Sequence, residues 1–236
     1  MGETEWSINS IMKKRIFITA TNTDIGKTYT LLKLLELYAA KGIKVGAIKF
    51  VETGVVDGVY PDGERILQKL RELNPLFESF TIEDIVPVAY ELPAAPYVAS
   101  GGEAVDFEKL SRALEKMETH CDLVLIEGAG GLYVPLDYTF MMIDLISFFC
   151  ASALLVTHCN LGCINDTLLS IDALEQRRIP YLFAFNCKSE QKEHFEDHSK
   201  PYFEKKKMES FVVDEDIETI AQKLLLTFEA PTIKSL

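Results

Sequence analysis

The chain is poor in positive charge. It holds 24 Lys and Arg against 36 Asp and Glu in 236 residues, a net charge of −12. With a pI near 4.9 it offers no broad basic surface, which argues against a nucleic acid or an anionic membrane as partner. Long hydrophobic runs are absent as well. The longest nearly unbroken one, residues 145–156, falls short of the roughly 20 residues a membrane helix needs, and Ser147 and Ser152 interrupt it. Residues 1–10 contain two glutamates but no basic residue and no apolar stretch, so no export signal is expected there. Cysteine is sparse: Cys121, Cys150, Cys159, Cys163 and Cys187 are odd in number and lack the spacing of a disulfide framework. With no export signal, this points to the cytoplasm and reduced thiols. His158, Cys159 and Cys163 have no second ligand pair nearby, which weighs against zinc.

Apolar material is plentiful. Hydrophobic residues make up 48% of the chain and charged ones 25%, enough for one globular α/β domain with a sizeable core. That domain is expected over residues 12–236, behind a non-native or disordered extension at 1–11; Met12 makes a natural beginning. Runs at 15–19, 45–50, 123–126, 153–156 and 181–185 read as strands. Helical patterns over 28–40, 62–73, 107–120 and 164–176, and a helix end at 145–150, separate them. Near-continuous apolar strands alternating with helices predict a mostly parallel sheet covered on both faces. In such sheets ligands collect at the carboxyl ends of the strands. The charged stretch 191–207 reads as a solvated loop or short helix rather than a binding patch.

Residues 20–28 carry the most chemistry. They read Ala-Thr-Asn-Thr-Asp-Ile-Gly-Lys-Thr between the first strand and the first helix. A strand, a tight loop ending Gly-Lys-Thr and a helix make the architecture that binds a nucleoside triphosphate. Backbone N–H groups point at phosphate oxygens, Lys27 reaches the β and γ phosphates, and Thr28 offers a hydroxyl to Mg²⁺. Gly26 admits the backbone where a Cβ would clash. The loop is irregular, because Thr21 stands where a leading glycine is usual.

Other strand ends are also chemically rich. One delivers Lys49 and then Glu52-Thr53-Gly54. Another delivers Glu127 and a glycine-rich turn, Gly128-Ala129-Gly130-Gly131. Further ends supply Thr157-His158, with Asn160-Leu161-Gly162 beyond, and Asn186. Three of these groups have two readings each. Lys49 either snorkels to solvent or adds a second cation beside the phosphates. Glu127 is either an exposed carboxylate before a flexible turn or a Mg²⁺ ligand. Asp62, after Pro61, either caps a helix or supplies a second Mg²⁺ carboxylate.

Together these motifs resemble the dethiobiotin synthetase family, the P-loop ATP-dependent carboxylases of biotin synthesis. The resemblance rests on residues 21–28, on Ile48-Lys49 with Glu52-Thr53-Gly54, and on Pro93-Ala94-Ala95-Pro96. It continues through residues 124–136 and 160–165. It fades after Cys187, where residues 211–215 lack the family's glycine- and proline-containing strand end. Gly63-Glu64, beside Asp62, also departs from the common neighbours. The resemblance implies a single P-loop NTPase-like domain, ATP as co-substrate and Mg²⁺ as cofactor. The implied reaction closes 7,8-diaminononanoate and CO₂ to dethiobiotin through a carbamate and a carbamic–phosphoric anhydride. Catalytic roles then fall to Lys49, Lys27 and Thr53. The implied nucleotide site comprises Asn22, Thr23, Asp24, Ile25, Gly26, Lys27, Thr28, Tyr29, Asp62, Glu127, Gly128, Ala129, Gly130, Asn186 and Cys187, with Asn186 at the base. Thr28, Asp62 and Glu127 are the implied Mg²⁺ ligands. Lys49 and Thr53 would bind substrate with Gly162, Cys163, Ile164 and Asn165, a turn that opens a helix. Its N–H groups suit a tail carboxylate from the neighbouring subunit of a homodimer.

The competing reading is a switch-type P-loop ATPase of the partition or septum-positioning class. Those ATPases commonly carry an extra lysine four residues before the glycine of Gly-Lys-Thr. Asn22 occupies that position here.

Overall fold

The computed structural model describes residues 14–226; the expected extension at 1–11 and the start at Met12 lie outside them. The first apolar run forms β1 (Lys14–Ala20), with Ile16, Phe17 and Ile18 fully buried. Helix α1 (Lys27–Ala40) follows the loop. Leu31, Leu34, Leu35 and Tyr38 recur at helical spacing and turn one stripe into the core. Gly42, with φ +79°, ends the helix region.

The chain continues through β2 (Val45–Lys49), β3 (Val51–Thr53) and α2 (Gly63–Leu73). Next come α3 (Ile82–Ile85), β4 (Val88–Tyr90), α4 (Pro96–Ala99) and α5 (Phe107–Glu118). Strand β5 (Leu123–Gly131) leads to α6 (Met142–Phe148), β6 (Ser152–His158), α7 (Cys163–Gln176) and β7 (Tyr181–Asn186). The last elements are α8 (Ser189–His194), α9 (Lys200–Lys205), β8 (Phe211–Val212) and α10 (Val213–Leu226).

The main sheet has the order β2-β5-β1-β6-β7-β8, and every pairing in it is parallel. Its expected architecture is therefore present. β1 is flanked by β5 and β6; the chain leaves it toward β2 on one side and later crosses from β5 to β6 on the other, so a crevice opens at its carboxyl end. The register sets Lys49 of β2 directly beside Glu127 of β5. Among the described residues, no helix is long and apolar enough to cross a membrane.

The structure corrects several local expectations. The run 45–50 is not one strand. β2 stops at Lys49, Phe50 turns into the core against Phe149 with ring centroids 4.7 Å apart, and β3 joins β4 in a separate two-stranded sheet. Apolar periodicity cannot register a change of sheet between neighbouring residues. Residues 128–131 are not a flexible turn either: β5 runs through them, with Gly131 opposite Ala20. The segment 191–207 is less solvated than its charge suggests. Phe195 and Phe203 are fully buried, with ring centroids 4.4 and 5.1 Å from Phe185.

Reduced thiols were expected throughout, yet Cys159 and Cys187 form a disulfide. The register pairs His158 with Asn186, so the residues that follow emerge side by side, with Cα atoms 5.1 Å apart. A separation of 28 residues hides that neighbourhood from the sequence. Among the described residues, Cys121, Cys150 and Cys163 form no disulfide.

Candidate active site

The phosphate loop is held by glycine geometry and by a neighbour from another strand. Gly26 has φ +102°, a conformation L side chains rarely adopt, and it stands at the N-cap of α1. A Cβ there would also lie 2.1 Å from Asn186 Nδ2. That amide donates to the Ile25 carbonyl at 2.9 Å. Asn186, expected at the nucleotide base, thus spends its amide N–H on bracing the loop. Within the loop, Lys27 Nζ donates to the Asn22 carbonyl at 3.1 Å, and the Thr23 N–H donates to Asn22 Oδ1 at 2.8 Å.

Beside the loop lies a buried charged network. Glu127 is fully buried. Its Oε1 accepts from Thr28 Oγ1 at 2.8 Å and from Lys49 Nζ at 2.8 Å. Lys49 also donates to Asp62 Oδ2 at 2.5 Å. Glu127 Oε2 is buried and makes no hydrogen bond among the described residues. One of the two readings of each group falls at this point: Glu127 is not an exposed carboxylate. Lys49 is 5% exposed and does not snorkel. Asp62 precedes α2, but its side chain makes no capping hydrogen bond and turns to Lys49 instead. Burial alone would lower the Lys49 pKa, but the charges of Glu127 and Asp62 overcome it and raise the value. Burial would likewise raise Asp62, and the adjacent Lys49 brings it below its ordinary value. The ammonium is therefore fixed in its charged form.

These groups open into a cavity of about 620 Å³. Thr23, Asp24, Gly26, Lys27, Thr28, Tyr29, Lys49, Thr53, Asp62, Glu127, Ala129 and Gly130 all line it. Asn22, Ile25, Gly128, Asn186 and Cys187 do not, and the Cys187 thiol is taken by the disulfide. The Tyr29 hydroxyl donates to Asp214 Oδ1 at 2.6 Å. The turn Gly162, Cys163, Ile164 and Asn165 also lies outside the cavity. It opens α7 with Gly162 at φ +98° and without a capping side chain. One N–H of that turn, from Cys163, is already used on the Asn160 carbonyl at 3.0 Å. His158 bridges the same turn, meeting Asp166 Oδ2 at 3.0 Å and accepting the Asn160 N–H at 3.2 Å.

A family described as an AAA domain matches residues 14–224. The ATP-dependent dethiobiotin synthetase of Sulfurovum sp. is 43% identical over 189 residues, which cover 80% of this chain and 89% of that protein. The ATP-dependent dethiobiotin synthetase of Wolinella succinogenes is 38% identical over 214 residues, 90% of this chain and 98% of that one. The chain belongs to the dethiobiotin synthetase family. Its fold is shared more widely. A plasmid partition protein from Borrelia burgdorferi superposes with a TM-score of 0.52 at 13% identity, over 92% of this chain and 97% of the other. The MinC:MinD cell division complex of Aquifex aeolicus does so at 0.50 and 17%, over 89% and 86%. At such identities the likeness concerns the fold alone.

In this member of the dethiobiotin synthetase family, the cavity wall includes residues for which the sequence suggested no role. Val51, Glu52, Pro61, Arg65 and Val134 line it, together with residues 93–96. Glu52 stands out as a carboxylate only 2% exposed in a three-residue strand. Burial pushes its pKa up, while hydrogen bonds from the Asp62 and Gly63 backbone and the charge of Lys49 oppose that shift. The strand-end segment Glu52-Thr53-Gly54 was visible in the sequence, but no individual role for Glu52 was; its charge inside an otherwise apolar segment was a further signal.

The same site predicts a pH dependence. Burial lowers the Lys27 ammonium to about 8; Lys49 adds to the shift, while Glu127, Asp62 and Asp24 oppose it. A bound phosphate group adds negative charge beside Nζ and draws the proton back. Nucleotide affinity should therefore be full below the free-site value and fall as pH rises through it, by up to about tenfold per unit. Calorimetric titration with ADP from about pH 7 to about pH 9.5 checks this, and a flat profile would remove Lys27 from the phosphates.

Proposed function

We infer that the protein catalyses the ATP-dependent closure of 7,8-diaminononanoate and CO₂ to dethiobiotin, a cyclo-ligase reaction that releases ADP and phosphate. The reading is carried by Lys49, a second buried ammonium on the cavity it shares with Lys27 and Thr53. A nucleotide switch has no need of it. A reaction that brings a carbamate oxygen against a phosphoryl group must neutralise two anions at once.

One substrate amine adds to CO₂ and loses a proton, giving the carbamate. A carbamate oxygen then attacks the γ-phosphorus and expels ADP, forming the carbamic–phosphoric anhydride. The second amine attacks the anhydride carbon, closes the cyclic urea and releases phosphate. The protein forms no covalent bond in this sequence; it positions groups and neutralises charge. Lys27 holds the β and γ phosphates. Lys49 holds the carbamate and the anionic anhydride. The Thr53 hydroxyl orients the diamine.

The donor set fits Mg²⁺. A hydroxyl from Thr28 and carboxylates from Asp62 and Glu127 are hard oxygen ligands, and the unpartnered Oε2 of Glu127 suits a cation. Once bound, the ion supplies charge neutralisation at the phosphates. Asn22, Thr23, Asp24, Ile25, Gly26 and Tyr29 complete the nucleotide site in this reading, with Gly128, Ala129 and Gly130. Asn186 and Cys187 sit toward the base. The substrate tail would meet Gly162, Cys163, Ile164 and Asn165 from the second subunit of a homodimer. That turn does not line the cavity of its own chain, and Leu161 beside it is 93% exposed, both of which support this arrangement. The cytoplasm is the compartment that suits such a biosynthetic enzyme. The partition-type switch rests on shared fold alone.

Product analysis by mass spectrometry tests the reading, with the diamine, bicarbonate and each nucleoside triphosphate in turn. Dethiobiotin is expected with at least one nucleotide, and the pattern reports base preference. Nucleotide hydrolysis without a urea product would overturn the reading. Turnover per subunit that holds constant on extreme dilution to a monomer would remove the interface site.

A further inference from the structure

We propose that Glu52 is a positioning residue: by holding the Asp62 and Gly63 N–H groups, it fixes the backbone at the start of α2 so that the Asp62 carboxylate faces the reaction centre. The inference rests on the proposed role of Asp62 as a metal ligand. An aspartate immediately before a helix ordinarily turns its carboxylate onto the free N–H groups of the first turn. Asp62 does not. Instead, Glu52 of β3 reaches across and holds the backbone at the helix start. Its Oε1 accepts the Asp62 N–H at 2.6 Å, and its Oε2 accepts the Gly63 N–H at 3.0 Å.

A carboxylate against a helix N-terminus is favourable in itself, because it meets two N–H donors and the positive end of the helix dipole. Here it also fixes the backbone from which the Asp62 side chain leaves. Asp62 Oδ2 can then accept from Lys49 at 2.5 Å, while Oδ1 stands 3.8 Å from Arg65 Nη1.

The unusual residue after Asp62 belongs to the same device. A Cβ on Gly63 would sit 3.0 Å from Glu52 Oε2 and 2.3 Å from Val86 Cγ2. Glycine at the first helical position is what lets the Glu52 carboxylate and Val86 both close onto the helix end. Glu52 and Gly63 are eleven residues apart and act as a matched pair.

Without Glu52, the Asp62 and Gly63 N–H groups lose their acceptor, the backbone there loosens, and the Asp62 carboxylate swings away from Lys49 and from the metal position. A purely structural cap predicts something else: a lower melting temperature with the metal site intact.

The test is Mn²⁺ binding to the protein–ADP complex, followed by electron paramagnetic resonance, with melting temperature recorded for each variant. The set is Glu52→Gln, Glu52→Ala, Asp62→Asn and the double variant Glu52→Gln/Asp62→Asn. Glutamine keeps the shape and one acceptor, so it yields folded protein to measure even where alanine does not. Asp62→Asn and Glu52→Gln should each weaken Mn²⁺ binding by about tenfold, and the double variant should match Asp62→Asn alone, because both changes remove the same ligand. Full Mn²⁺ affinity in Glu52→Gln beside a weakened Asp62→Asn would overturn the inference and leave Asp62 as a ligand. So would losses that simply add. Full affinity in Asp62→Asn would overturn the ligand role of Asp62 and the inference with it.

Discussion

Replacing Lys49 with alanine should lower dethiobiotin formation by about a thousandfold, while ADP binding stays within about an order of magnitude of the parent. The asymmetry follows from geometry. Lys27 and the loop backbone remain to hold the nucleotide. The cation that joins Glu127 and Asp62, with Nζ 2.8 and 2.5 Å from their oxygens, is gone. Stability should fall as well. Glu127 has no solvent exposure, and without Lys49 the one side-chain donor left to it among the described residues is the Thr28 hydroxyl. Removing one partner of a buried ion pair costs about 3–5 kcal/mol, because the other charge is left stranded. The melting temperature should therefore drop in the empty protein and recover in part with Mg²⁺ and nucleotide. Single-turnover assays alongside ADP titration check both halves. Turnover at the parent level would remove Lys49 from the chemistry.

Glu127→Gln should raise the Mg²⁺ concentration for half-maximal activity by about 10–100-fold at saturating nucleotide. An amide has nearly the same shape, so the cavity should survive. The charge does not, and the position of the unpartnered Oε2 becomes either a neutral oxygen or an N–H donor. A buried donor without an acceptor adds about 1–3 kcal/mol of destabilisation. The loss should be partly overcome by high Mg²⁺, unlike that of Lys49→Ala. An unaltered magnesium titration would show that Glu127 serves the fold and not the ion. Read together, the two variants would separate the roles proposed for neighbouring groups: an anion that recruits a cation and an ammonium that meets the substrate.

Much of the site was legible because its parts are local. Strand, loop and helix around Gly26, Lys27 and Thr28 follow one another in the chain, and apolar spacing announces all three. Lys49, Asp62 and Glu127 each end or begin an element, so their chemistry stands out against apolar surroundings. Their mutual contacts were not legible. Whether Lys49 snorkels or is buried depends on its pairing with Glu127, 78 residues away, and local spacing holds no record of register. Asp62 shows the same limit from another side: its type and position fit a helix cap, and only the arrival of Glu52 decides otherwise.

By itself the sequence determined the fold class, the phosphate loop and the identity of the charged groups at the strand ends. These depend on periodicity and on residue types within one element and its neighbours. Tertiary structure alone decided what those groups do to one another. It placed an ammonium between two carboxylates, tied the Asn186 amide to the loop, joined Cys159 to Cys187 and brought Glu52 onto the start of α2. Each outcome requires two distant segments to meet in one register, and that meeting is set by how the whole sheet packs rather than by any stretch of chain.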